Sequence, residues 1–212
     1  MSIPTWGDRR RLRVGLLGGS FNPAHAGHRH VAETALCRLR LDQVWLLVSP
    51  GNPLKPVAGM APLAARLASA AAQGDGRRII STDIEARLGL RETWRTLRAL
   101  RRLFPCVRFV WLMGADNLAQ LPRWRRWRSI VGEMPFAVLP RPGYTRPALA
   151  GQAAHALRSG MHGPEAATAL AALPPPAWTL LRVPQTALSA TALRERGWTA
   201  TSPLPGLPAR PS

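Results

Sequence analysis

Two glycines and two histidines near the start of the chain have the types and spacing of a phosphate-binding site. Gly18 and Gly19 follow the short apolar run Val14–Leu17, and His25 and His28 come a few residues later. Glycine allows close approach of the backbone to a ligand, because it has no side chain. A helical spacing of apolar residues begins at His28, so a helix N-terminus and two imidazoles would converge there. This combination favours an anion, and phosphate is the obvious one.

This loop differs from two widespread phosphate-binding loops. No Gly-Lys-Ser/Thr sequence closes it, as a Walker loop requires, and the third glycine of the dinucleotide fingerprint is absent. A Gly-Gly pair after a strand is weak by itself, but the H-x-G-H spacing behind it makes the pattern specific. The alternative is an ordinary exposed histidine pair at a helix start behind a plain turn.

The stretch from Gly18 to His28 resembles the phosphate-binding motif of the HxGH nucleotidyltransferases, G-G-[ST]-F-[DN]-P-x-H-x-G-H, at every fixed position. The resemblance implies catalytic roles for His25 and His28. It also implies a set of ATP-binding residues in the loop, namely Gly18, Gly19, Ser20 and Phe21.

A second pattern lies near the C-terminus. Ser189 and Thr191 alone would be interpreted as helix N-caps. Together with the first motif, the stretch Leu188–Arg194 resembles the family's [ST]-[SA]-T-x-[IL]-R element. The resemblance implies that Ser189 and Thr191 bind the ATP phosphates and that Arg194 stabilises the departing pyrophosphate.

Further stretches resemble one branch of that family, the nicotinate mononucleotide adenylyltransferases. They are Gly114-Ala115-Asp116, Pro122-Arg123-Trp124, Arg141-Pro142-Gly143-Tyr144, and Pro53-Leu54-Lys55 with its basic position after the second strand. Each stretch alone is moderate evidence for this branch, and the four together are strong evidence. The resemblance extends from about Val14 to Arg196, nearly the whole chain.

The resemblance implies a reaction in which ATP and nicotinate mononucleotide give nicotinate adenine dinucleotide and pyrophosphate, a late step in making NAD. The attacking phosphate is already mostly dianionic at pH 7, since its second pKa is about 6, so no general base is needed. The implied catalytic residues are His25, His28, Lys55 and Arg194. Gly114 and Asp116 join the ATP-binding set. The implied cofactor is Mg²⁺, bound mainly through the ATP phosphates with no metal ligand from the protein.

Three residues are implied to bind the mononucleotide, namely Thr93, Trp124 and Arg141. Trp124 would stack on the pyridine ring, and the alternative is a helix aromatic in the core. Thr93 would present its hydroxyl and backbone N–H to the pyridine carboxylate, and the alternative is a simple N-cap. The family usually has tyrosine before this threonine. Glu92 replaces it here, and we expect its carboxylate to point away from an acidic substrate.

The formal net charge of +18, from 29 Lys+Arg against 11 Asp+Glu, leaves a second class of function open. Arginine clusters with interleaved Trp124 and Trp127 are compatible with nucleic-acid binding. However, Lys55 is the only lysine, which favours a coding bias toward arginine. We expect no specific nucleic-acid partner. Within the family, transfer to another phosphate acceptor, such as the amide nucleotide or a pantetheine phosphate, is the nearest alternative.

The elements that position these residues alternate between strand and helix. Strands are predicted at 13–17, 44–48, 78–82, 107–112, 136–139 and 178–183, and helices at about 27–40, 62–73, 93–104 and 123–131. Residues 145–173 are predicted to form an Ala-rich helical excursion. The pattern indicates an α/β fold, a Rossmann-like doubly wound parallel sheet with a small C-terminal helical element. The loops at Gly18–Gly19 and Gly114 should then be neighbours.

The composition predicts one domain over residues 1–197 and a disordered proline-rich tail over 198–212. No run of about eighteen apolar residues occurs, and the N-terminus has no apolar signal core, so neither a membrane span nor a secretory signal is predicted. Cys37 and Cys106 are expected to be buried and reduced, as suits a cytoplasmic enzyme. An oligomer is possible.

Overall fold

The computed structural model describes residues 3–51 and 59–181. Strands β1 to β7 are, in order, Arg13–Gly19, Gln43–Val48, Ile79–Thr82, Arg108–Gly114, Phe136–Leu139, Met161–His162 and Trp178–Leu180. Helices α1 to α8 are, in order, Ala26–Arg38, Leu63–Ala72, Ile84–Arg87, Thr93–Leu103, Ala115–Gln120, Trp127–Glu133, Thr145–Leu149 and Gln152–Ala156. Short 3₁₀ helices cover Leu121–Arg123, Arg158–Gly160 and Pro164–Ala172.

The strands form one sheet in the order β3-β2-β1-β4-β5-β7-β6, and every neighbouring pair is parallel. Successive side chains of the central strands enter two separate apolar layers: Leu16 packs with α4 and α6 on one face, and Leu17 packs with α1 and α2 on the other. Because both faces are covered, the strands are apolar almost throughout rather than alternating. The predicted Rossmann-like α/β fold is confirmed.

The strand order reverses between β1 and β4, which lie side by side at the centre of the sheet. Leu17 pairs with Leu112 in parallel strands, so the loops after β1 and β4 begin at the same edge of the sheet. In open α/β sheets, ligands bind at the carboxyl ends of the strands where the order reverses. The predicted proximity of the Gly18–Gly19 and Gly114 loops is therefore confirmed.

Several predicted boundaries were wrong. The helix expected over 123–131 begins only at Trp127, because Arg126 takes up a left-handed conformation, with φ of 54°, and precedes the helix as its N-cap residue. The excursion over 145–173 is broken into two short helices, two 3₁₀ segments and the two-residue edge strand β6, which no sequence period could reveal.

The two cysteines are free, but Cys37 is exposed and Cys106 is only half-buried, so the expected burial was wrong for both. Ala32, Ala35 and Leu36 form the buried stripe of α1, and Cys37 falls outside it. No helix in residues 3–51 and 59–181 combines the length and hydropathy needed to cross a bilayer. The predicted C-terminal helical element and the tail lie outside the described residues, as does the end of the strand predicted over 178–183.

Candidate active site

A small cavity opens at the carboxyl ends of β1, β4 and β5, beside the N-terminus of α1. Its walls are formed by Leu17, His25, Gly27, His28, Val31, Gly114, Leu139, Pro140 and Arg141. The structure thus brings together His25 and His28, Gly114, and Arg141, which come from three separate stretches of the sequence.

The two histidines cap α1 reciprocally. His25 is the N-cap residue, with an extended backbone, and its Nδ1 accepts the Gly27 N–H at 3.1 Å. The Nδ1 of His28 in turn accepts the His25 N–H at 3.2 Å. Since each Nδ1 is an acceptor, each neutral ring carries its proton on Nε2. Helix N-caps are usually Ser, Thr, Asp or Asn, so this histidine capping box was not expected from the sequence.

The imidazole rings pack against each other with centroids 4.0 Å apart, and the ring of Phe21 lies 4.9 Å from that of His28. His25 is buried, and His28 is partly buried. Burial and, to a smaller extent, the nearby charge of Arg141 together lower the pKa of His25 to about 4. The pKa of His28 lies well below its usual value of 6.5, mainly because the ring is desolvated and further because of the charges of His25 and Arg141. Both rings are therefore neutral Nε2–H donors at neutral pH.

The glycine loop leaves its backbone accessible. Gly18 is exposed, and a Cβ atom added there would meet no atom within 4 Å. Phe21, by contrast, buries its side chain, so a contact between Phe21 and ATP could come only from its backbone. Ser20 lies between them and is partly exposed.

Asp116 and Arg141 lie together over Gly114. The Asp116 Oδ1 is 3.0 Å from the Arg141 Nε, and a Cβ added at Gly114 would collide with this pair. The loop that carries Arg141 is fixed by Thr145, whose hydroxyl accepts the Arg141 N–H at 2.9 Å and donates to the Arg141 carbonyl oxygen at 3.0 Å. No sequence pattern singled out Thr145.

Thr93 and Trp124 are not among the residues that line this cavity. Trp124 is half-buried in the turn before α6, with its ring centroid 5.9 Å from that of Trp111. Thr93 is the first residue of α4, and the N-cap residue is Glu92, so the alternative of Thr93 as a simple N-cap is wrong. The Glu92 carboxylate is paired with Arg95 at 3.1 Å and Arg125 at 2.9 Å.

Sequence reasoning missed Arg66. This arginine of α2 is buried, and its guanidinium donates to the carbonyl oxygen of Ser20 in the glycine loop at 2.8 Å. An arginine inside a helix of alanine and leucine is a weak sequence signal, and nothing in its spacing relates it to the loop. The loop is also tied to α2 by the Ala24 N–H, which donates to the Ser69 hydroxyl at 3.0 Å.

Four of the predicted site residues, Lys55, Ser189, Thr191 and Arg194, lie outside the described residues. Within residues 3–51 and 59–181, no group of three or more His, Cys, Asp or Glu residues could hold a metal ion. The polar side chains that line the cavity are two neutral histidines, each with an Nε2–H donor, and one arginine, and these suit an anion rather than a bare metal ion.

Sequence comparison gives a consistent result. The profile of the cytidylyltransferase-like family matches residues 16–196. The chain is 60% identical to a probable nicotinate-nucleotide adenylyltransferase of Gluconacetobacter diazotrophicus over 91% of this chain and 90% of that protein. It is also 60% identical to the protein of the same name from Gluconobacter oxydans, over 88% and 95% of the two chains.

The fold is shared with more distant solved structures. Nicotinic acid mononucleotide adenylyltransferase of Plasmodium falciparum, in complex with NaAD, superposes with a TM-score of 0.65 over 88% of this chain and 83% of that one. Its sequence identity is 16%, so this similarity supports the fold and not the residue roles.

Proposed function

This chain belongs to the cytidylyltransferase-like family, and we propose that it transfers the adenylyl group of ATP to nicotinate mononucleotide. The products would be nicotinate adenine dinucleotide and pyrophosphate. The observation that carries the proposal is the reciprocal histidine cap of α1, which presents two neutral imidazoles beside Arg141 where the strand order reverses. The identity of the acceptor is supported by relatives that are 50–60% identical and bear that name.

The reaction needs positioning and charge stabilisation rather than proton transfer. An oxygen of the mononucleotide phosphate would attack the α-phosphorus of ATP, forming one P–O bond while the bond to the β-phosphate oxygen breaks. Pyrophosphate leaves with that bonding pair. Because the attacking phosphate is mostly dianionic at pH 7, neutral histidines do not have to act as bases.

The histidines would instead donate hydrogen bonds from Nε2 to phosphate oxygens. A donor held in place by its own Nδ1 acceptor bond needs no reorganisation when charge develops, which is the condition for strong transition-state stabilisation. Arg141 adds a fixed positive charge beside His25 and His28. Gly18 and the loop that follows it would supply backbone N–H groups.

The remaining roles rest on the family resemblance. Lys55 and Arg194 would neutralise charge on the transferred and departing phosphates, and Ser189 and Thr191 would bind the ATP phosphates. Asp116, which lies over Gly114, would belong to the ATP-binding residues. Mg²⁺ would be bound mainly by the ATP phosphates, where it would supply charge neutralisation. Trp124 and Thr93 would bind the pyridine ring and its carboxylate.

The nucleic-acid alternative receives no support from Trp127, one of the two tryptophans interleaved with the arginines. Trp127 is buried, so its ring presents no free face for base stacking. Arg125, one of the clustered arginines, is paired with Glu92. A cytoplasmic location, a possible oligomer and a single domain over residues 1–197 stay predictions.

The test is pyrophosphate release with ATP and Mg²⁺, with nicotinate mononucleotide, nicotinamide mononucleotide and phosphopantetheine offered in parallel. We expect strong turnover with the acid mononucleotide alone. Turnover with another acceptor only would contradict the assigned substrate. ATP-independent binding of mixed oligonucleotides that stays tight at physiological salt would instead favour the nucleic-acid alternative.

A further inference from the structure

Arg66 is among the largest fully buried side chains of the described residues, with 1% of its surface exposed. It lies in the first turn of α2, where its own N–H donates to the Pro62 carbonyl oxygen. No carboxylate of residues 3–51 and 59–181 forms an ion pair with it. Burying an unpaired cation is costly, so a guanidinium in this place calls for a specific set of acceptors.

Those acceptors are backbone carbonyl oxygens from three separate segments. The Nη1 of Arg66 donates to Ser20 at 2.8 Å and to Ser49 at 2.7 Å, and its Nε donates to Ala61 at 2.9 Å. One rigid planar group thus joins the glycine loop after β1, the end of β2 and the start of α2. A lysine could keep the charge but not this fork of donors.

The bond to Ser20 determines the orientation of the next peptide group. In a trans peptide the C=O of Ser20 and the N–H of Phe21 point in opposite directions. With its C=O directed at Arg66, the peptide turns the Phe21 N–H to the other side of the loop. That N–H donates to no group among the described residues, and Phe21 has a left-handed backbone with φ of 49°.

We infer that Arg66 is a positioning residue for ATP: it holds the Ser20–Phe21 peptide so that the Phe21 N–H faces the bound phosphates. The inference rests on the proposed function for its choice of ligand. Arg66 touches no reacting atom itself and acts through the loop. Neither the family motif nor the cavity lining includes it.

The first test compares Arg66→Lys with the wild type in steady-state kinetics. We expect the KM for ATP to rise at least about tenfold while the KM for nicotinate mononucleotide changes less than about twofold. The reason is that a small displacement of the loop would move the Phe21 N–H away from the ATP phosphates alone. Equal effects on both substrates, or no effect, would overturn the inference. A purely stabilising role for Arg66 would not separate the two KM values.

Arg87→Lys is the matched control. Arg87 also donates from its guanidinium to a backbone carbonyl oxygen, that of Ile3 at 2.7 Å, and it pairs with Asp83, but it contacts neither the loop nor the cavity. We expect its KM for ATP to match the wild type. A rise like that of Arg66→Lys would show that any lost arginine–carbonyl bond has this effect, and would contradict a specific role for Arg66.

The second test needs no active enzyme and no stable variant. In the ¹⁵N-labelled wild-type protein, the Phe21 amide resonance should move on addition of a non-hydrolysable ATP analogue with Mg²⁺, and not with nicotinate mononucleotide alone. An unmoved Phe21 amide would overturn the inference even if Arg66→Lys fails to fold. If the wild type turns over no acceptor but this shift is present, the proposed reaction fails, whereas the placement of the Phe21 N–H at the ATP phosphates stands.

Discussion

The carboxylate of Asp116 and the guanidinium of Arg141 form an ion pair across the carboxyl ends of β4 and β5, with 3.0 Å between Oδ1 and Nε. The two strands pair so that Gly114 lies opposite Leu139, which places both side chains above Gly114. The pair holds Arg141 beside the histidines, where its charge contributes to their lowered pKa values. A glycine is therefore required at position 114, because any larger side chain would occupy the space of this ion pair.

Gly114→Ala should separate this ion pair, because the added Cβ would lie 2.7 Å from the Arg141 Nε and even closer to Asp116. We expect kcat/KM to fall at least about tenfold, as Arg141 leaves its place beside the phosphate site. The matched control is Gly132→Ala in α6, where an added Cβ meets nothing within 4 Å. Steady-state kinetics of the two variants should differ clearly, and similar losses in both would contradict the packing role of Gly114.

His28→Ala should lower kcat by about 10²-fold or more, because the Nε2–H donor held by the His25 backbone would be lost from the transition state. Pyrophosphate release under saturating substrates measures this directly. His155→Ala, on the exposed side of α8, is the control and should turn over like the wild type. Unchanged turnover in His28→Ala would remove the catalytic role assigned to that ring.

The sequence predicted what depends on local pattern and on general rules of topology. The apolar run before Gly18 and the helical spacing after His28 predicted β1 and α1, and the alternation of elements predicted the parallel sheet. The rule for the reversal of strand order then placed Gly18 and Gly114 together. These predictions succeeded because they need no side-chain coordinates.

What the sequence did not predict depends on contacts between distant residues. Arg66 reaches Ser20 across 46 positions, and no periodicity encodes that bond. The reciprocal histidine cap depends on ring orientations rather than on spacing. The late start of α6 depends on the left-handed backbone of Arg126, which is rare outside glycine and was therefore not expected. The prediction that Cys37 is buried was wrong because the buried stripe of α1 excludes it.

Trp124→Ala should raise the KM for nicotinate mononucleotide about tenfold while leaving the KM for ATP near the wild-type value. The reason is that the ring is half-buried against Trp111 with part of its surface open, which suits stacking on a pyridine ring. Trp124→Phe should recover most of the affinity, since it keeps an aromatic face. A rise in the KM for ATP instead would place Trp124 in the other half of the site.

Stability should depend on pH through His25 in a defined window. Its pKa is about 4 in the folded protein, against an ordinary value of 6.5, so between these pH values the unfolded chain binds more protons than the folded one. The stability contributed by keeping this ring neutral is complete above about pH 6.5 and is lost as the pH falls toward 4. We expect the wild-type Tm to decrease over that range.

His25→Asn isolates this effect, because asparagine is a good helix N-cap that can accept the Gly27 N–H and does not titrate. The decrease in Tm between pH 6.5 and 4 should be smaller in His25→Asn than in the wild type, although the carboxylates of both proteins titrate alike. The measurement is thermal unfolding followed by circular dichroism at closely spaced pH values. Parallel Tm curves for the two proteins would mean that His25 is not held neutral by its burial.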